Sequence, residues 1–453
     1  MPDILKSYDP SSGEPVGEVP ITPPDSIPSI VARAHKAGNG WSELPATKRA
    51  ELFKQAGQRL VERADELGVL LSREMGKPRK YGIGEVGYCG SSLAGKVDSI
   101  VAALEPQVSD GGSTESTIYY DPLGVCAVIS PWNYPMSMPQ WMVIPALMAG
   151  NTVVLKPSEE TPLIAQAYAD VLNEFLPEGV LQVIHGADAQ GKALVQADVQ
   201  MIAFTGSRQA GINIMGAAAS GLKRLVLELG GKDPLLVLDD ADVAKAAAMA
   251  VENSFENSGQ MCVSVERIYV ADAIAEAFEQ QVAELSAEIK VGAWDDDAAE
   301  LGPMINARQR DHVITQIRDA VDQGARVLCG GTEHSAGYVQ PTVLADVTDD
   351  MAIMQEETFG PVACIARFSD VDDAVHRANS GVYGLGASVF GQDEERAYAV
   401  ARRLDAGMIG VNKSCFAPGD APWVGAKQSG YGFHGSAAGH RQFAQCRVVT
   451  RVK

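Results

Sequence analysis

The hydrophobic and polar positions of the chain fall into three kinds of stretch. Over Ala46 to Gly76 (ATKRAELFKQAGQRLVERADELGVLLSREMG) apolar residues recur every three or four positions, which predicts helix with one face turned to a core. The first hundred residues read mainly this way. Around SDGGSTESTIYYDPLG, Ser109 to Gly124, glycine, serine and alternating β-formers replace that period and predict an extended hairpin that leaves the domain body. From there short apolar runs (GVCAVIS, NTVVLK, GVLQVIHG, VQMIAFTG, KRLVLELGG) alternate with helical segments such as PLIAQAYADVLNEFL and SRQAGINIMGAAAS. Alternation of this kind predicts right-handed crossovers and a parallel sheet buried on both faces, the pattern of a nucleotide-binding α/β unit. A second α/β stretch begins near Lys232 and runs to about Gly432. The tail, RQFAQCRVVTRVK, ends in a β-prone run with no local partner, so it is expected to pair with the earlier hairpin or with another subunit.

Composition narrows the functional classes. At 453 residues the chain is long enough for two or three packed units. Its 58 acidic against 37 basic residues give a net charge of -21, which repels a phosphate backbone and excludes nucleic acid as a partner. No apolar run approaches the roughly 18 residues of a membrane helix, and the start MPDILKSYDPSSGEP lacks the basic-then-apolar order of a secretory signal. No membrane partner and a cytoplasmic location are therefore expected. Seven scattered cysteines, without a CxxC or a Cys/His cluster, predict reduced thiols and no metal site.

Two segments, GIGEVG (Gly82 to Gly87) and GYGFHG (Gly430 to Gly435), match the dinucleotide fingerprint GxGxxG. Neither follows a strand that opens a βαβ unit, so both read as glycine-rich turns. VVLKPSEETP is a better candidate: Pro157 ends a strand, leaving Lys156 and Glu159 at its carboxyl end with Ser158 before a helix. A solvated charge pair at a helix start fits these residues about as well. In AFTGSRQAG, Gly206 allows close backbone approach and Ser207 stands at a helix amino terminus, suited to phosphate or to plain capping. PWNYP puts Asn133, an amide donor, in rigid backbone after a strand, where it suits an oxyanion hole or a turn. LELGG puts Glu228 among leucines, where a raised pKa would fit a general base. Cys262 follows NSGQM, a turn whose Gly259 permits sharp backbone and whose free N–H groups favour a thiolate.

PWNYP, KPSEETP, FTGS, LELGG, GQMC, EETFGPV and GAKQSGYG, in this order over nearly the whole chain, resemble the aldehyde dehydrogenase superfamily, and Glu228 lies 34 residues before Cys262 as is usual there. The resemblance implies an α/β fold of three parts: a Rossmann-like cofactor domain (residues 1–108 and 123–230), an α/β catalytic domain (231–432), and a β-hairpin oligomerisation arm (109–122 and 433–453). It implies Cys262 as nucleophile, Asn133 with the Cys262 N–H as oxyanion holders, and Glu228 as the base that hydrolyses a thioester. Trp132, Lys156, Ser158, Glu159, Gly206, Ser207, Leu229, Glu357 and Phe359 would hold the cofactor. Glu159 would repel a 2′-phosphate, so NAD is expected, with NADP possible. The substrate would be a small aldehyde, and the assembly a homodimer or homotetramer through the arm.

The chain also departs from the superfamily's commonest pattern. Trp423-Val424-Gly425 replaces a double glycine, and His434 stands where many relatives have a glutamate. Glu256, six residues before the nucleophile, stands where relatives of the bacterial succinate-semialdehyde branch carry an arginine for the substrate carboxylate. With Tyr134, Trp141, Phe416 and Trp423 it would line a pocket for aromatic, aliphatic or amino aldehydes; a solvated carboxylate outside the pocket is the equal alternative for Glu256. Succinate semialdehyde or another ω-semialdehyde is the second substrate reading. An acylating enzyme, a non-catalytic scaffold and a thiol hydrolase rank below both.

Overall fold

The computed structural model describes residues 3–453 apart from 333, 336, 417 and 418. The strands expected after Gly124 form one sheet in the spatial order Arg224–Leu229, Met201–Gly206, Val125–Ile129, Thr152–Lys156 and Leu181–Val183, all parallel. Its earliest strand lies in the middle, so the chain order reverses between Val125–Ile129 and Met201–Gly206, the crevice where open α/β sheets bind ligands. Successive side chains of these strands feed two separate cores. Cys126, Val128, Val153 and Leu155 pack with Phe53, Leu60 and Tyr168, whereas Val125, Ala127 and Val154 pack with Ile27, Val31 and Ile202. This accounts for continuous apolar runs in place of strict alternation. The short strand Gly430–Tyr431 adds an antiparallel edge, with Gly430 opposite Glu228.

A second sheet of seven strands follows, ordered Arg326–Cys329, Thr342–Ala345, Val362–Phe368, Val265–Ala271, Asp233–Val237, Gly386–Phe390 and Met408–Val411. Only the Arg326–Cys329 edge is antiparallel. The hairpin Gln107–Asp110 and Thr114–Pro122 stands apart, and the tail strand Ala444–Val452 pairs antiparallel along the whole of Thr114–Pro122. The expected partner of the tail is thus present within the same chain. Among the described residues no helix is long and apolar enough to cross a membrane.

Two details of the first hundred residues differ from the sequence pattern. The Ala46 to Gly76 period is carried by two helices, Ala46–Glu62 and Ala64–Met75, which meet at Arg63. GIGEVG is no turn: it lies inside the long helix Arg79–Ala103. Of its glycines Gly82 serves close packing, since a Cβ there would lie 2.5 Å from the Gly68 carbonyl oxygen, while Gly84 and Gly87 face open space; Gly90, further along the same helix, packs likewise, with a Cβ 2.7 Å from the Gly57 carbonyl oxygen. Helices that touch backbone to backbone have no room there for a side chain. GYGFHG does contain a turn, at Gly432 between the strands Gly430–Tyr431 and Phe433–His434.

Candidate active site

Cys262 sits where the helix Val243–Phe255 turns back into the strand Val265–Ala271. The turn is built from three consecutive left-handed residues, Asn257, Ser258 and Gly259, with φ of 55°, 59° and 69°. Only the glycine among them does so without steric cost. A Cβ at Gly259 would lie 2.0 Å from the Gly360 carbonyl oxygen. Side-chain hydrogen bonds hold the strained pair: Asn257 Nδ2 donates to the carbonyls of Asn133 at 3.1 Å and Gln260 at 3.2 Å, and Ser258 Oγ donates to Gly302 at 2.8 Å. Such strain persists only where surrounding contacts fix it, which is a mark of functional sites.

The same carbonyl of Gln260 accepts from Asn133 Nδ2 at 2.9 Å, so one amide hydrogen of Asn133 is engaged and the other is free. Glu228, on the strand Arg224–Leu229, is buried. Its Oε1 accepts from Trp423 Nε1 at 3.3 Å, its Oε2 has no closed hydrogen bond, and the Cys262 thiol and Thr205 hydroxyl face the carboxylate. Burial pushes Glu228 up to about 7, held back by the Cys262 thiol first and Trp423 second. Burial, with the charge of Glu228 next, pushes the Cys262 thiol well above its ordinary range. The resting pair is therefore a thiol beside a carboxylate that accepts protons near neutrality.

At the switch-point crevice the carboxyl ends of the strands carry the cofactor candidates. Lys156 pairs with Glu159 at 3.2 Å, and Ser158 Oγ accepts from the Glu160 N–H at 3.3 Å. Gly206 ends its strand and Ser207 caps the helix Arg208–Ala218, accepting from the Ala210 N–H at 3.4 Å. Leu229 packs under that helix, where a Cβ on Gly211 would lie 2.5 Å from Leu229 Cδ2. Trp132 and Phe359 meet edge to face at 5.4 Å. Glu357 accepts from the Gly231 N–H at 3.1 Å, and burial, with the charge of Glu266 next, pushes it up to about 8. The segment bearing Glu357 and Phe359 is fixed by residues the sequence did not single out. Glu266, paired with Lys232 at 2.5 Å, accepts from the N–H groups of Thr358 at 2.8 Å and Phe359 at 2.9 Å.

On the opposite side of Cys262 opens a cavity of about 990 Å³. Asn133, Tyr134, Trp141, Glu256, Phe416 and Trp423 line it together with the thiol. Glu256 both ends the helix Val243–Phe255 and lines this cavity, accepting from the Tyr134 hydroxyl at 2.7 Å. Three further exposed carboxylates, Glu252, Glu288 and Glu300, stand on the same lining. Lys77 Nζ lies 4.0 Å from the centre of the Tyr134 ring and forms a buried ion pair with Glu85 at 2.8 Å. Glu85 also accepts from the N–H groups of Met136 at 3.1 Å and Ser137 at 3.0 Å, tying down the segment that follows Asn133. Lys77 and Glu85 carry no sequence signal of this role: they are charged residues in an otherwise helical stretch. His434 is buried, 5.4 Å from Trp141 and 6.2 Å from Trp423 between ring centres.

The model of the family described as "Aldehyde dehydrogenase family" matches residues 2–449. The chain belongs to the aldehyde dehydrogenase family. A betaine aldehyde dehydrogenase of Sinorhizobium fredii is 38% identical over 454 residues, covering 98% of this chain and 93% of that protein. An NADP-dependent succinate-semialdehyde dehydrogenase of Deinococcus radiodurans is 36% identical, covering 98% and 94%. The crystal structure of an NAD-dependent aldehyde dehydrogenase from Sinorhizobium meliloti superposes with a TM-score of 0.96 at 33% identity, covering 99% of this chain and 91% of the other. As an aldehyde dehydrogenase the protein is an oxidoreductase, and relatives of both cofactor types occur around it.

Proposed function

We propose that the protein oxidises a positively charged or neutral aldehyde to its acid with NAD, using Cys262, Asn133 and Glu228. The thiol of Cys262 passes its proton to Glu228 and the sulfur bonds the carbonyl carbon, giving a thiohemiacetal. The free hydrogen of Asn133 Nδ2 and the Cys262 N–H hold the oxyanion that forms. The carbon then gives up hydride and a thioester is left on Cys262. Glu228 releases the Cys262 proton to solvent and then takes a proton from water; the resulting hydroxide attacks the thioester, and the acid leaves as Glu228 returns that proton to the sulfur and the thiol is restored. This places the protein with the hydrolytic rather than the acylating enzymes.

The residues at the crevice fit a dinucleotide: an ammonium at Lys156, a carboxylate at Glu159, the capped amino terminus after Ser207, and an aromatic pair at Trp132 and Phe359. When bound, NAD supplies a nicotinamide ring that accepts the hydride. Glu159, 42% exposed at the crevice, supports NAD over NADP because it would face the added phosphate. We assign residues 1–108 and 123–230 to cofactor binding, 231–432 to catalysis, and 109–122 with 433–453 to an arm that joins subunits. The seven unpaired cysteines suit a reducing compartment, in keeping with the cytoplasm.

For the substrate class the observation that carries the reading is the lining of the cavity: Glu256, Glu252, Glu288 and Glu300 together with aromatic rings at Tyr134, Trp141, Phe416 and Trp423. Carboxylates and ring faces attract an ammonium group and repel a carboxylate. An amino or trimethylammonium aldehyde is favoured, and succinate semialdehyde is disfavoured. NADH formation over a panel of these aldehydes, with an alkanal as the neutral control and NADP in parallel, tests this. The expected order in kcat/KM is cationic, then neutral, then succinate semialdehyde; succinate semialdehyde in first place would overturn it.

A further inference from the structure

We propose that a second cavity, of about 620 Å³ beside the substrate cavity, binds a carboxylate through Lys96, His434 and His440. Tyr88, Trp141, Phe416 and Trp423 line both cavities, whereas Cys262 and Asn133 line the first alone. Trp141 and Trp423, with ring centres 5.3 Å apart, stand where the two cavities adjoin.

Lys96 projects into this space from the helix Arg79–Ala103, its Nζ 5.9 Å from the centre of the Trp141 ring. Among the described residues its ammonium has no ion pair or hydrogen bond. His440 is 4% exposed, and its Nδ1 is buried without a partner. His434 is 5% exposed, and among the described residues no protein hydrogen bond engages its ring nitrogens. The buried, unpartnered Nδ1 of His440 is costly to leave unpaired and, with the unpaired Lys96 ammonium in the same cavity, is relieved by a polar ligand that enters it.

Protonation favours the same ligand. Burial pulls Lys96 down to about 8, so a bound anion would restore its full charge. Burial, then Lys96, pulls His434 to about 3 and His440 to about 4, so both imidazoles are neutral and each has one N–H to donate. Among the described residues the one acid on the cavity lining is the exposed Asp420, whose Oδ1 already accepts from the Ala437 N–H at 2.6 Å. One cation with two neutral donors matches a singly charged carboxylate; a phosphate dianion would be undercompensated.

Two sources share this chemistry. One is the far end of a long aldehyde whose carbonyl sits at Cys262, which rests on the proposed function; the other is a free carboxylate such as an acid product. A short semialdehyde keeps its carboxylate on the Glu256 side of the Trp141–Trp423 wall, so its disfavour stands.

Two measurements on the full chain separate these sources. The first compares kcat/KM for ω-oxo carboxylates of increasing length with alkanals of matched length, in the wild type, Lys96→Met and Lys96→Arg. The second titrates butyrate calorimetrically into the same three proteins without aldehyde. If the substrate's own carboxylate is the ligand, the acid-to-alkanal ratio for the longer chains falls about tenfold or more in Lys96→Met and is kept in Lys96→Arg. If a free carboxylate is the ligand, butyrate binding weakens by about the same factor in Lys96→Met alone. No change in either measurement, or equal loss in Lys96→Arg and Lys96→Met, overturns the subsite. Failure to oxidise any aldehyde would instead sink the proposed function, and the titration would still decide the subsite.

Discussion

Under the proposed function, Glu228 is the residue on which the pH dependence is expected to turn. Burial raises it to about 7, so it is a neutral acid below that pH and a base above it. The hydrolytic step is therefore expected to fall as pH drops through about 7, and the pH profile of single-turnover acid release checks this. The same shift has the opposite sign for stability. An unfolded carboxyl ionises at its ordinary lower value, so between there and about 7 the native state holds more protons and stability declines as pH rises. Removing the charge in Glu228→Gln is thus expected to raise the melting temperature at neutral pH while abolishing the pH limb. A mere packing role for Glu228 would leave the limb in place. Cys262 could not be picked out by cysteine statistics, since most of the seven are buried thiols. What distinguishes it is the pairing with Glu228 and Asn133, and that pairing was legible only through motif order along the chain.

At the scale of elements, the strained turn and its supports explain how Cys262 is held. The sharp turn was legible at Gly259, but the left-handed Asn257 and Ser258 were not, because non-glycine residues enter that region only when tertiary contacts force them. The Lys77–Glu85 pair was illegible for a related reason: its partners at Met136 and Ser137 are about fifty residues away, and periodicity sees only near neighbours. Glu85 joins the helix Arg79–Ala103 to the helix Ser137–Met148 just after Asn133. Replacing it with alanine leaves Lys77 charged and unpaired in a buried site. A cost of about 3–5 kcal/mol in denaturant unfolding is expected, with a smaller loss in Glu85→Gln. GIGEVG was illegible as helix because the need Gly82 answers is helix-to-helix approach, which has no local signature, while Gly84 and Gly87 face open space.

For the whole molecule, the alternation of strands and helices made the parallel sheet legible, since burial on both faces shows directly in the sequence, whereas the strand order that creates the switch point has no local signature. The tail's pairing was legible as well, from a β-prone run without a neighbour. The three-stranded arm it forms exposes Val108, Val448, Val449 and Val452, and its outer strands have free edges. Exposed apolar edge strands of this kind call for a covering partner. The expected outcome is a homodimer or homotetramer by light scattering, shifted towards monomer in the double variant Val448→Glu, Val452→Glu, whose two positions share one face of the strand. With a net charge of -21 on each subunit, association should strengthen with salt; a monomeric wild type would contradict the arm's role. The account as a whole rests on a thioester formed on Cys262 and released by Glu228, and one measurement reaches it directly. Glu228→Gln is mixed with NAD and aldehyde, NADH is followed over time, and the quenched protein is mapped by mass spectrometry. Because Glu228 also takes the Cys262 proton, the account predicts one turnover of about one NADH per active site, formed more slowly than in the wild type and followed by arrest, with the acyl group on Cys262. Sustained turnover in Glu228→Gln, or a burst that leaves Cys262 unmodified, would contradict it.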